Sequence, residues 1–307
     1  MTEQLANYPR PMPSHQEPLA VRTLTRGERI TERDDIHTFT LAQEVIERAQ
    51  LGFSIYTLPH YIGIKGGAAR QVLRSLMFPD EPQSSPRDID FVVLQERVEE
   101  GGYDEEVVDE TVYKLSMKYA PRDTMYGHYG EEVWDIESYM REHDFTLNQV
   151  LLTKDRQHKQ WQLHATTQAV IDTADNIVRP TIDQYDEDQA WRLSGNLGLK
   201  ALRLMAEFED AGAPTALRSV RLPSGLYGEV GYEYFVQTLN LDKALQSGYS
   251  VATRYLENLR QHAMLPNDYA HYTDPAELFL QLLEETDFDP SEDALQTIAN
   301  QESTAET

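Results

Sequence analysis

The 307-residue chain has no cysteine, which excludes disulfides, iron–sulfur clusters and cysteine-ligated zinc. It lacks any apolar run approaching the roughly 18 residues of a membrane-spanning helix, so no membrane partner is expected. The opening "MTEQLANYPRPMPSHQEP" has no apolar core of signal-peptide type, and a cytoplasmic location is the expectation. Positive charge is scarce: 27 Lys plus Arg face 52 Asp plus Glu, for a net charge of −25. Such a chain is repelled by nucleic acid unless its few bases gather in one place. The basic clusters "RQVLR", "LRSVRL" and "RYLENLR" would have to face one groove for RNA to bind. Hydrophobic residues make up 40%, enough for a packed core, and the length suits one large domain or two ordinary ones.

Residues 1–35 carry four prolines without apolar periodicity and read as a flexible arm. "TFTLAQEVIERAQLGF" places Leu41, Val45, Ile46 and Ala49 at helical spacing, with Gly52 as a stop. "PHYIGIKGG" reads as a strand entering a tight turn, and "AARQVLRSLMF" as a helix with Ala68, Val72, Leu73 and Leu76 on one face. A Pro- and Ser-rich loop follows over 78–86, then "RDIDFVVL" (87–94), a buried strand. Residues 96–110 hold eight acids and one Arg and read as a solvated face or loop. "TVYKLSMKYA" fits helix or strand; "EEVWDIESYM" alternates as a strand does; "HDFTLNQVLLT" fits helix or strand; "KQWQLHA" reads as a short strand. Beyond 186 the apolar spacing is helical throughout, ending in an acidic tail expected to fray.

The expectation is an α+β protein with a small mixed sheet flanked by helices, followed by an all-α domain. Its divisions are a 1–35 arm, a 36–180 head, a 181–285 helical domain and a 286–307 acidic tail.

The chemistry concentrates between 62 and 94. A strand ends in Gly66–Gly67, and a helix carrying Arg70 follows. After a loop, a second strand carries Asp88 and Asp90. Residues two apart on a strand share a face, so these carboxylates should project side by side. They repel one another unless a cation lies between them, and oxygen ligands with open positions suit Mg²⁺. Paired glycines before a helix let backbone amides approach a phosphate, and the helix dipole favours that anion. A phosphate cradle beside a metal-binding Asp-x-Asp is equipment for phosphoryl or nucleotidyl transfer.

"YIGIKGGAARQVLRSL…SPRDIDFVVL" resembles the head domain of the class II tRNA nucleotidyltransferases (CCA-adding enzymes) and bacterial poly(A) polymerases, members of the DNA polymerase beta superfamily. Gly66, Gly67, Arg70, Asp88 and Asp90 match the family pattern Gly-Gly-x-Val-Arg-Asp, helix, Asp-x-Asp. Gln71 stands where the family has Asp. "EHDFTLNQVLL" is similar to the family's Arg-Arg-Asp-Phe-Thr-Ile-Asn block through Asp144, Phe145, Thr146 and Asn148. Glu142 and His143 replace its two arginines, and Arg141 lies one step early. "VWDIESY" falls where the family has a strand bearing a carboxylate, which makes Asp135 the candidate third metal ligand and Glu137 the fallback on the same face. "IDTADNIVRPT" matches the end of the family head through Asp172 and Arg179. "EDQAWR" supplies Asp188 and Arg192 for the family's base-reading motif, with one extra residue, and Arg203 falls on the next helix. The resemblance spans about residues 55–210.

The resemblance implies two Mg²⁺ ions held by Asp88, Asp90 and Asp135, and a triphosphate cradled by Gly66, Gly67 and Arg70 with Arg141 as substitute. It implies a ribose fixed by Asp144 and Asn148, and a base read by Asp188 and Arg192. The NTP would be ATP or CTP and the acceptor an RNA 3′ end, tRNA above all. Two alternatives stay open: the same chemistry on a protein or small-molecule acceptor, and an inactive relative serving as a binding module. The nine histidines form no close pair of zinc-site type, and there is no G-x-S-x-G elbow, Walker loop or G-x-G-x-x-G. Tyr119, Tyr126, Tyr129 and Tyr139 have rings able to stack bases, although amphipathic packing is the commoner role of tyrosine.

Overall fold

The computed structural model of the protein describes residues 36–52, 54, 57–81, 85–125, 127, 129–155, 157, 159–181, 195–213, 215–217 and 230–305. The 1–35 arm, Asp188 and Arg192 lie outside them. The chain divides into two compact units, Met1–Ala174 and Asp175–Thr307.

The first unit is α+β. Its elements are β1 (Ile36–Leu41), α1 (Gln43–Arg48), β2 (Ile62–Lys65), α2 (Gly66–Met77), β3 (Asp90–Leu94), α3 (Gln95–Gly101), α4 (Glu105–Tyr119) and α5 (Pro121–Met125). Then come β4 (Glu131–Val133), α6 (Ile136–Glu142), a 3₁₀ turn (Thr146–Asn148), β5 (Val150–Lys154), β6 (Trp161–Thr166) and α7 (Thr167–Asp175). The six strands form one mixed sheet in the order β1-β6-β5-β2-β3-β4. Its only parallel pair among the described strands is β3 with β4.

Strand alternation sorts the sheet's side chains onto two faces. Phe91 and Val93 enter the main core with Ile62, Ile64, Leu73 and Leu152. Val92 and Leu94 face the other way and join a smaller cluster with Val133, Tyr139 and Leu151. α2 packs the main core through Ala68, Val72, Leu73 and Leu76, as their spacing predicts.

Two local expectations change. Residues 36–41 are a strand, not the start of a helix: the segment pairs antiparallel with β6, from Ile36 opposite Thr166 to Leu41 opposite Trp161. Residues 134–142 are mostly helix, not strand. Asp135 caps α6 by accepting the Ser138 backbone N–H at 2.7 Å, and Ile136, Tyr139 and Met140 follow at helical spacing. The acidic 96–110 stretch is a solvated face as expected, carried by α3 and α4 with all eight acids exposed and Asp104 capping α4 through the Glu106 N–H.

Among its described residues the second unit is mainly helical, with a two-residue parallel pair, β7 (Ile177–Val178) with β8 (Ala216–Leu217). Its helices are α8 (Gly195–Asp210), α9 (Val230–Ser247), α10 (Tyr249–Gln261), α11 (Pro275–Glu285) and α12 (Glu292–Ala305). α12 occupies the stretch expected to fray. Ala294 and Ile298, four apart, are buried, and apolar burial holds the helix despite its acids.

Candidate functional site

β2 runs extended through Lys65, and the chain then turns at Gly66 with φ of 64° into the first turn of α2. A side chain is strained at this left-handed φ, and a Cβ there would also lie 3.1 Å from Asp90 Oδ2. Glycine thus brings the backbone against the Asp90 carboxylate. A Cβ on Gly67 would meet nothing within 4 Å, so space lies open beside the helix start. α2 has no side-chain N-cap and no acid in its first turn, which leaves the amides after Gly66 suited to an external anion.

Asp90 opens β3 directly opposite Lys65. The strand expected over 87–94 begins only at Asp90, so Asp88 lies just ahead of it rather than on it; both are half-buried, with buried Ile89 between them. Glu131 opens β4, the strand beside β3, and pairs with Lys65 in an ion pair. Lys65, Asp90 and Glu131 line one cleft of about 460 Å³, together with Asp123, Phe91, Ser116, Ala120 and Tyr129. Among the described residues that line it, three acids face one base.

A second group forms where α2 meets the 3₁₀ turn. Arg70 donates to Asn148 Oδ1 at 3.1 Å, and Asn148 Nδ2 donates to Asp144 Oδ1 at 2.8 Å. The Phe145 N–H caps the same Asp144 oxygen. Residues 78 positions apart are thereby joined. Below them, the fully buried Asp172 accepts from Thr146 Oγ1 at 2.6 Å and Gln168 Nε2 at 2.9 Å, fixing the turn from beneath.

Tyr139 links the two groups. Its hydroxyl donates toward the Asn148 and Val150 carbonyls at 3.0 and 3.2 Å and receives the Gly66 backbone N–H. Complete burial pushes its pKa well up, and the nearby charge of Glu131 adds to the effect. This tyrosine is a strut, not a base platform. His143 packs on it at 3.9 Å between ring centroids and bonds the Tyr139 carbonyl through Nδ1 at 3.0 Å. Burial holds the His143 pKa below the usual imidazole value, against the opposing pull of Glu131 and Asp144. A buried imidazole thus stands directly before Asp144.

Two expected residues stand apart from this arrangement. Asp135, read as a strand carboxylate facing metal, is instead the N-cap of α6. It lines a separate cleft of about 220 Å³ with Glu137, Glu96 and Arg97. Arg141 is exposed and pairs with Glu137 at 3.5 Å one helical turn back. Glu131 is the carboxylate that sequence reasoning passed over. Its signal was its place at the head of the "EEV" strand, straight after Gly130.

Among the described residues, no group of three or more His, Asp or Glu is close enough to hold a metal ion. Asp90 and Glu131 are hard oxygen donors lining one cleft, and such donors suit a divalent cation that draws its other ligands from water and phosphate. No protein-family model matches the chain, and no curated protein matches it.

Proposed function

We propose that the protein is a metal-dependent nucleotidyltransferase. In this reading it moves a nucleoside monophosphate from ATP or CTP to the hydroxyl of an RNA 3′ end, tRNA first among candidates, and releases pyrophosphate. The observation that carries the reading is the Asp90 carboxylate seated against the left-handed Gly66 at the mouth of α2. That juxtaposition brings an anion-binding helix start and a cation-binding carboxylate to one point.

Asp88 and Asp90 would hold Mg²⁺. Bound there, the ion would acidify the acceptor hydroxyl and neutralise charge building on the phosphates. The first-turn amides of α2 bind phosphate oxygens, and Arg70 adds positive charge one turn along. The Arg70–Asn148–Asp144 chain presents its polar edge to a ribose, its geometry set in advance by Tyr139 and Asp172. The acceptor oxygen attacks the α-phosphorus, the bond to pyrophosphate breaks, and the hydroxyl proton passes to solvent.

Among the described lining residues, Asp90, Asp123 and Glu131 stand against Lys65 alone, which favours a second reading, in which the acceptor is a protein or small-molecule hydroxyl rather than polyanionic RNA. One experiment separates the two. The purified protein is incubated with Mg²⁺ and each α-labelled NTP, with total tRNA and then without it. Label in tRNA supports the first reading, and label in protein alone supports the second. NTP binding without transfer indicates an inactive binding module. Absence of NTP binding overturns the proposal.

A further inference from the structure

The structure separates the tyrosines of the 119–139 segment. Tyr139 is fully buried as a strut, and Tyr119 packs edge-on against Phe91 with Lys118 over its ring. Tyr126 lies outside the described residues. Tyr129 differs from these: it is 45% exposed, and it lines the cleft that holds Lys65 and Asp90. Its ring is braced by Tyr113, with centroids 5.3 Å apart at 78°. The next residue, Gly130, has φ of 63° and passes so close to Val112 that no Cβ would fit. The loop is thereby pinned to α4, which holds the Tyr129 ring in place.

We infer that Tyr129 is the stacking platform for the base of the incoming nucleoside triphosphate, an inference that rests on the nucleotidyltransferase reading. The cleft combines charged groups with an aromatic and apolar wall of Tyr129, Phe91 and Ala120, and its volume of about 460 Å³ suits a nucleotide. Its three acids oppose a bare polyphosphate, so selectivity for a nucleotide must come from the base. A ring braced in advance stacks any base at little entropic cost.

The test measures binding of ATP, CTP and inorganic tripolyphosphate, each with Mg²⁺, by calorimetry. The wild-type protein should bind the nucleotides more tightly than tripolyphosphate. Tyr129→Ala should weaken nucleotide binding roughly tenfold and leave tripolyphosphate binding as it was. Tyr129→Phe, which keeps the ring, should recover affinity lost in the alanine variant. Unchanged nucleotide affinity in Tyr129→Ala overturns the inference, as does a change confined to the KM of the acceptor. If Asp90→Asn abolishes transfer while Tyr129→Ala leaves nucleotide affinity intact, the enzyme reading stands and this inference falls. If the wild-type protein binds no nucleotide, both fall.

Discussion

His164 and Asp90 lie on strands of one sheet, β6 and β3, with β5 and β2 between them. His164 is buried, and its two ring nitrogens meet the hydroxyls of Thr38 and Thr153, each at 2.9 Å. Burial depresses its pKa to about 3, and the nearby Arg97 adds to the effect, so the ring is neutral at physiological pH. Asp90 is half-buried, with Lys65 opposite and a cleft in front. One end of the sheet thus satisfies a titratable group with neutral partners and closes over it. The other keeps charges of both signs at an open surface, which costs stability and leaves them available for chemistry.

The sharpest way to break this contrast is Asp90→Asn. Turnover should fall roughly a hundredfold to a thousandfold, a loss typical of removing a key electrostatic group. Thermal stability should stay close to wild type; a large fall in the melting temperature would make Asp90 structural, like His164. The second test acts on His164. Its folded pKa of about 3 lies below the ordinary 6.5, so the unfolded chain takes up the proton first. The His164 contribution is therefore complete above pH 6.5 and is lost as pH falls toward 3, at about 1.4 kcal/mol per unit. Urea midpoints at several pH values should show that slope, and His164→Gln should reduce it. Gly66→Ala comes third. It should cost about 1–2 kcal/mol through the left-handed backbone, and it should lower activity by displacing Asp90. Equilibrium unfolding beside turnover checks both; stability loss with full activity would detach the glycine from the site. The smallest effect belongs to Arg141→Ala. Its exposed pair with Glu137 predicts a stability change below about 0.5 kcal/mol and less lost turnover than Arg70→Ala.

The strand–glycine–helix unit at 62–77 was legible because each part is local: an apolar run, two glycines, then apolar residues at helical spacing. The strand after it was legible only in part: it begins at Asp90, so Asp88, expected on it, falls just ahead. β1 was not, because Leu41 also fits a helical pattern with Val45, and the strand that overrides it lies more than 120 residues away. Asp135 was misplaced because "EEVWDIESYM" alternates for its first half, and the cap that switches it to helix is one carboxylate bonding one amide. Glu131 had a local mark, its place at the head of "EEV" after Gly130, but its nearness to Lys65 and Asp90 follows from the β3–β4 register, which no local period encodes. The resemblance-derived roles of Arg70, Asp144 and Asn148 named three residues that prove to be hydrogen-bonded in series. Their binding roles await the transfer assay.

β4 is the terminal strand of the sheet, three residues long, and two of the three are glutamates. An unpaired strand edge invites another chain to add on, and brevity with like charge is the usual deterrent. A second copy approaching this border would set glutamate rows against each other with room for few ladder bonds. Such an edge should resist strand addition, and Glu132→Gln should raise light scattering of the concentrated protein over that of the wild type.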